Sequence, residues 1–196
     1  MISPKVFFTC ASLISLAGCA FILGIHDPVY VSETELKKTA PDFDIENQVL
    51  ATIDTAEYRN HIRKIEGTSK IVAHDFMQPM MVKIFVNDTL NAYLVNCYVQ
   101  GFPGLNWMAT SFFDSLPPVN KLHLVYHEFL HDEMRCLELL ERKPLDHKKY
   151  VILVYWSCFT KKQSRSLIKS AYHFLKYDPG NETEIIFVNA DNLFVP

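Results

Sequence analysis

Basic charge in excess is missing from this chain. Nineteen lysines and arginines stand against 22 aspartates and glutamates, a formal net charge of −3. They are scattered, and the nearest thing to a run, Lys161-Lys162 with Arg165, reads as a solvated helix face. A nucleic-acid binder needs a basic patch or stripe, so no nucleic-acid partner is expected. Cysteine is sparse as well. Of five, Cys10 and Cys19 precede the body of the chain, which keeps Cys97, Cys136 and Cys158. No C-x-x-C occurs, which argues against a thiolate zinc site or a thioredoxin-type redox site. Three is an odd number, so at most one internal disulfide is expected, and burial as a free thiol is the ordinary fate of such residues. Internal repeats and low-complexity tracts are also lacking. The 196 residues, 49% hydrophobic, suffice for one domain with a sizeable core.

One long hydrophobic run is present, at the start. "MISPKVFFTCASLISLAGCAFILGIHDP" places Lys5 before an uncharged stretch from Val6 to Ile25. Such a stretch can span a bilayer as a helix. A positive start, an apolar middle and small residues near the end also describe a secretory signal. "LAGC", Leu16 to Cys19, resembles the bacterial lipobox, which would make Cys19 a lipidation site, while the apolar "AFILGI" that follows suits an anchor. Lipoprotein, uncleaved signal anchor and cleaved signal therefore stay open, and all three imply export. We divide the chain into a leader or anchor at 1–28, a linker at 29–44 and a folded domain at 45–196. Asn87 in "NDT" and Asn181 in "NET" match the glycosylation acceptor.

Within the domain, Val49, Ile53, Ile62 and Ile65 recur near helical spacing and predict an amphipathic helix over 45–66. "MVKIFVND" alternates as a half-buried strand, "NDTLN" turns, and "AYLVNCYVQG" gives a second strand. "GFPGLNW" is a loop, and the nearby Trp107, Phe112 and Phe113 are assigned to the core. Pro117 and Pro118 open a long helical pattern whose stripe of Leu122, Val125, Phe129, Leu130, Met134, Leu137 and Leu140 runs until Pro144. "KYVILVYWSCF" predicts a buried strand, "TKKQSRSLIKSAYHFLKY" a helix, and "TEIIFVNA" a last strand. That order is an α+β pattern.

The long helix carries "YHEFLH", an H-E-x-x-H motif at His127, Glu128 and His131. On a helix, positions i and i+4 share a face with Cβ atoms about 6 Å apart, so both imidazoles can reach one Zn²⁺. Glu128, beside the first ligand, can then take the proton of a zinc-bound water. His123 lies two turns from His131, about 12 Å along the axis, too far to share that ion. Asp132 and Glu133 are assigned to a solvated helix face, with the orientation of a ligand imidazole as the alternative.

The hairpin with Asn91, Ala92 and Tyr93, followed by a loop and the H-E-x-x-H helix, resembles the HtpX and CAAX-prenyl-protease family of zinc metallopeptidases over about residues 46–140. The resemblance implies a zincin-like fold, a small sheet packed on the active-site helix. It implies zinc on His127 and His131, Glu128 as catalytic base, and a peptide or protein substrate laid beside Asn91, Ala92 and Tyr93. The family's third ligand, a glutamate on a later helix, is not matched, because Ile168 stands there and Tyr172 takes the place of a following aspartate. His173 on that later helix is the preferred third ligand, with Glu138, Glu141, Glu182 and Glu184 as alternatives. The functional expectation is an exported, membrane-tethered zinc metallopeptidase; the rival is a non-enzymatic envelope lipoprotein or binding module. Mass spectrometry of the mature N-terminus tests the leader. Lipidation gives a chain that begins at acylated Cys19, whereas a retained Met1 identifies an anchor.

Overall fold

A computed structural model describes residues 25–45, 48–101, 104–119, 126–140, 148–178 and 180–195. Most of the leader, with Cys10 and Cys19, lies outside the described residues, as do His123 and Glu141. Among the described residues, no helix is long and apolar enough to cross a membrane.

The protein is a mixed α+β fold built on one sheet. Its strands are β1 (Val49–Ile53), β2 (Met81–Val86), β3 (Thr89–Val95), β4 (Leu137–Leu139), β5 (Tyr150–Trp156) and β6 (Thr183–Asn189). They lie in the order β3-β2-β5-β6-β1-β4. Three of the four inner strands, β5, β6 and β1, run parallel, while β2, β3 and β4 are antiparallel to their neighbours. Among the described residues, five α-helices accompany the sheet: α1 (Glu33–Thr39), α2 (Thr55–Glu66), α3 (Lys70–Phe76), α4 (Leu130–Met134) and α5 (Lys161–Ala171).

The sheet is larger than expected and is covered on both faces. On one face, Tyr58 and Ile62 of α2 and Phe76 of α3 pack over Met81, Phe85 and Leu153. On the other, Leu167 and Ile168 of α5, with Trp107 and Phe113, cover Val82 and Val154. Burial on both faces is why β5 reads as a continuous apolar run rather than an alternating one.

Three expectations need correction. The 45–66 segment is strand β1 and then helix α2, because Asp54 interrupts it. The Asp54 carboxylate accepts from the backbone N–H groups of Ala56 (3.0 Å) and Glu57 (3.1 Å), capping α2 at the point where the β-branched run stops. Part of the assigned linker is helix α1, started by a capping box in which Ser32 and Glu35 satisfy each other's backbone N–H groups. Leu36 of α1 and Phe43 just beyond it are fully buried, so this segment belongs to the core.

The third correction is the long helix. Pro117 lies in a bend and Pro118 in irregular backbone, and α4 is a short helix that ends before strand β4. Leu137, read as part of the helical stripe, pairs instead with Ile53, and Leu139 pairs with Ala51. The hairpin was legible, but its turn falls at Asn87 and Asp88, which have positive φ of 47° and 63°. Two such residues make the tight loop whose twist matches paired strands. Asn91, Ala92 and Tyr93 therefore lie within β3 rather than in a turn.

Replacing Asp54 by Ala leaves two N–H groups of α2 without their cap. The expected loss is about 1 kcal/mol in urea unfolding; an unchanged midpoint would show that the cap contributes nothing.

Candidate functional site: a buried lysine, histidine and glutamate cluster

The segment that carries the sequence motif is extended where it begins. Leu90 N–H donates to the Glu128 carbonyl (2.9 Å) and Leu130 N–H to the Asp88 carbonyl (2.8 Å), so this stretch pairs with the start of β3. Extended backbone alternates its side chains. His127 and Phe129 accordingly face out, and Glu128 and Leu130 face in. Helix α4 begins only after Phe129. His131 on it is 70% exposed, stacked on Phe129 at 5.6 Å and 3.5 Å from Asp132. The expected helical pairing of His127 and His131 around one ion is thus not the observed arrangement, because the segment spends its first half as strand.

Glu128 points instead to a group that the motif did not announce. Strand β2 places Met81, Lys83 and Phe85 on one face by its two-residue period, and Lys83 is fully buried there. Its ammonium donates to Glu133 Oε2 at 2.7 Å and lies 3.4 and 3.3 Å from the two Glu128 oxygens. It also sits 3.4 Å from the centre of the Phe76 ring, a cation–π contact. His61, from α2, brings Nε2 to 2.7 Å from Glu128 Oε1 and 3.7 Å from Glu133 Oε2. The Tyr155 hydroxyl donates to Glu133 Oε1. Glu133, assigned from the sequence to a solvated face, is completely buried, and Glu128 is 2% exposed. Only His61 approaches the surface, with its side chain 11% exposed. It borders a cavity of about 30 Å³ that Glu57, Asp132 and Arg135 also line, large enough for a single water.

The two carboxyls are driven apart in acidity. Burial raises both, but the Lys83 charge and the His61 hydrogen bond overcome it at Glu128, which is lowered to about 2. At Glu133, burial together with the neighbouring Glu128 charge outweighs Lys83, and its pKa is raised to about 7. Two close carboxylates seldom both ionise freely, and here one holds the charge while the other tends to keep its proton. Burial, and then the Glu133 charge, pushes the Tyr155 hydroxyl well above its ordinary range, so it remains a neutral donor. Burial likewise raises the Cys136 thiol to about 12, which makes it a poor nucleophile. Cys97, Cys136 and Cys158 are all free thiols.

His61, Glu128 and Glu133 could hold a metal ion: one ligand atom from each lies within 4.8 Å of the others. Among the described residues, no such group of three includes His127, His131 or His173. His173 lies just past α5, which packs on the sheet face opposite Lys83, and so cannot complete this cluster. Of the alternatives, Glu138 is exposed on β4 near Thr52, and Glu182 is exposed near Lys149. Ala92 and Tyr93 are core residues, with the Tyr93 hydroxyl on Asp75 at 2.9 Å, and Asn91 is half-buried. A larger cavity, about 490 Å³, lies at the end of β1 between Tyr30, Asp54, Glu138 and Asn192, and contains no member of the cluster.

Sequence reasoning missed Lys83 and His61. The signal for Lys83 was present: a lysine at the centre of an apolar strand breaks the rule that buried charges are rare unless paired. No family model, curated protein or solved structure matches the chain.

The cluster sets a pH profile for the metal-free fold. Glu128, with its lowered pKa, contributes stability that is present above about pH 4.5 and lost as pH falls toward 2. Glu133, with a raised one, contributes stability that is present below about 4.5 and lost as pH rises through 7. Glu133→Gln removes the second limb. Relative to wild type, it should gain about 3 kcal/mol between pH 5 and 8 in chelator-treated urea unfolding. Parallel profiles for the two proteins would refute the assignment.

Proposed function

We propose that this chain is an exported, membrane-tethered module that binds a divalent transition-metal ion, zinc first, without hydrolysing peptides. The observation that carries this reading is the convergence of His61, Glu128 and Glu133 in one buried group. One imidazole and two carboxylates form a donor set that zinc accepts. Export and tethering rest on the leader sequence, with its Lys5, apolar stretch and lipobox-like "LAGC".

The peptidase reading asks Glu128 to act as a base beside a water on His127 and His131. Two features weigh against it. Glu128 faces inward while both histidines are exposed, and its carboxylate is held by Lys83 and His61 in a state that resists protonation. A carboxylate lowered so far is a weak general base at neutral pH.

Zinc content of the full chain, purified in detergent and dialysed against limiting zinc, separates the two readings. The ion should be bound at one per chain. His61→Ala should weaken binding at least as much as the roughly 10–100-fold that loss of an outer-shell partner costs. His127→Ala and His131→Ala should leave binding unchanged. Loss of zinc in those two variants, with His61→Ala intact, would reverse the conclusion in favour of the peptidase.

A further inference from the structure

We infer that Lys83 determines which cations the cluster accepts. The inference rests on the proposal that His61, Glu128 and Glu133 bind a metal. Its physical basis is that the carboxylate oxygens such an ion would use already hold a cation. The Lys83 ammonium is 2.7 Å from Glu133 Oε2 and 3.3 Å from Glu128 Oε2, and those oxygens belong to the two carboxylates that join His61 Nε2 in the candidate group.

A metal ion bound there lies about 2.0–2.2 Å from its ligands, which sets it within a few ångströms of the ammonium. Two positive charges at such a spacing, away from solvent, repel strongly. Lys83 cannot retreat into water, since it is fully buried and seated over Phe76. It is therefore a permanent competitor, part of the chain and present at fixed position whatever the ion concentration outside.

The repulsion is the same for every divalent ion, so it excludes first those whose own affinity for these donors is weakest. Magnesium and calcium prefer six to eight oxygen ligands and give up water reluctantly. Here they would meet two contested carboxylates and an imidazole that adds little for them. Zinc and cobalt gain much from an imidazole and tolerate a low coordination number. His61 is thus the donor that rewards the borderline ions, and Lys83 the charge that turns away the hard ones. Without Lys83 the cluster would be two buried carboxylates with one histidine, an arrangement that any divalent cation would relieve.

The test titrates the chelator-stripped full chain, in detergent, with Co²⁺, Mn²⁺ and Mg²⁺, following the Co²⁺ absorbance bands and calorimetric heats. Wild type, Lys83→Met and Lys83→Gln are compared after circular dichroism confirms that each is folded. Wild type should bind Co²⁺ and show no Mg²⁺ heat at millimolar concentration. In either folded variant, Mn²⁺ affinity should rise by at least about tenfold, the size of change that removing one close like charge produces, and Mg²⁺ should give a heat at millimolar concentration. An unchanged Mn²⁺ affinity, with Mg²⁺ still giving no heat, in the variants overturns the role of Lys83 while leaving the site intact. Mg²⁺ binding by wild type overturns it without any variant. Absence of Co²⁺ binding from wild type and variants alike brings down the metal site itself, and this inference with it.

Discussion

A lysine ammonium with no access to water is the constraint around which this domain is arranged. An isolated charge in an apolar interior costs many kcal/mol, and such a charge survives only when counter-charges and hydrogen bonds surround it. Lys83 sits in the middle of β2, between apolar neighbours on the same sheet face. No carboxylate on β2 can meet it. Glu128 and Glu133 have to come from elsewhere in the sequence, and they bring the 126–139 segment with them. The strand-like entry beside β3, the short α4 and the three residues of β4 are the path that delivers both carboxylates to one ammonium.

The same constraint explains why the motif was misleading. H-E-x-x-H is equally compatible with helix and with a strand that becomes a helix, because three letters do not fix a period. Leu130, Met134 and Leu137 fit a helical stripe on paper. The strand alternation of His127 out and Glu128 in becomes visible only once the Asp88 and Leu90 backbone groups are known to pair there. Those partners lie some forty residues upstream, and no local propensity encodes them. By contrast, β2, β5, β6 and α5 were legible because their signals are local. Alternation, a β-branched run, or an amphipathic stripe decided each one. The 45–66 segment lay between these cases: Asp54 was a readable cap, but the apolar spacing on either side of it masked a strand as helix.

The candidate site was legible in one of its parts. Glu128 was singled out for chemistry and is a member of the cluster, though its partners are different from those expected. Glu133 was assigned to solvent because acidic residues after a motif usually are solvated. His61 gave no warning, since a histidine on an amphipathic helix is unremarkable until its neighbours across the interface are known. Lys83 gave the clearest signal, a charge in the middle of a strand that must be buried once the sheet has helices on both faces.

The order of the strands has a consequence for how the chain comes into being. β6, the last strand along the sequence, lies in the interior of the sheet, between β5 and β1. Until residues 183–189 pair, β1 and β5 each present an open edge of unpaired backbone groups, and no backbone ladder runs between the two halves of the sheet. Open edges of this kind invite pairing with other chains. A chain whose residues 183–189 have not yet paired therefore carries two half-sheets with no ladder between them. Strand β6 closes the sheet by insertion, so the pairing of that one segment is the step at which the two halves become a single sheet.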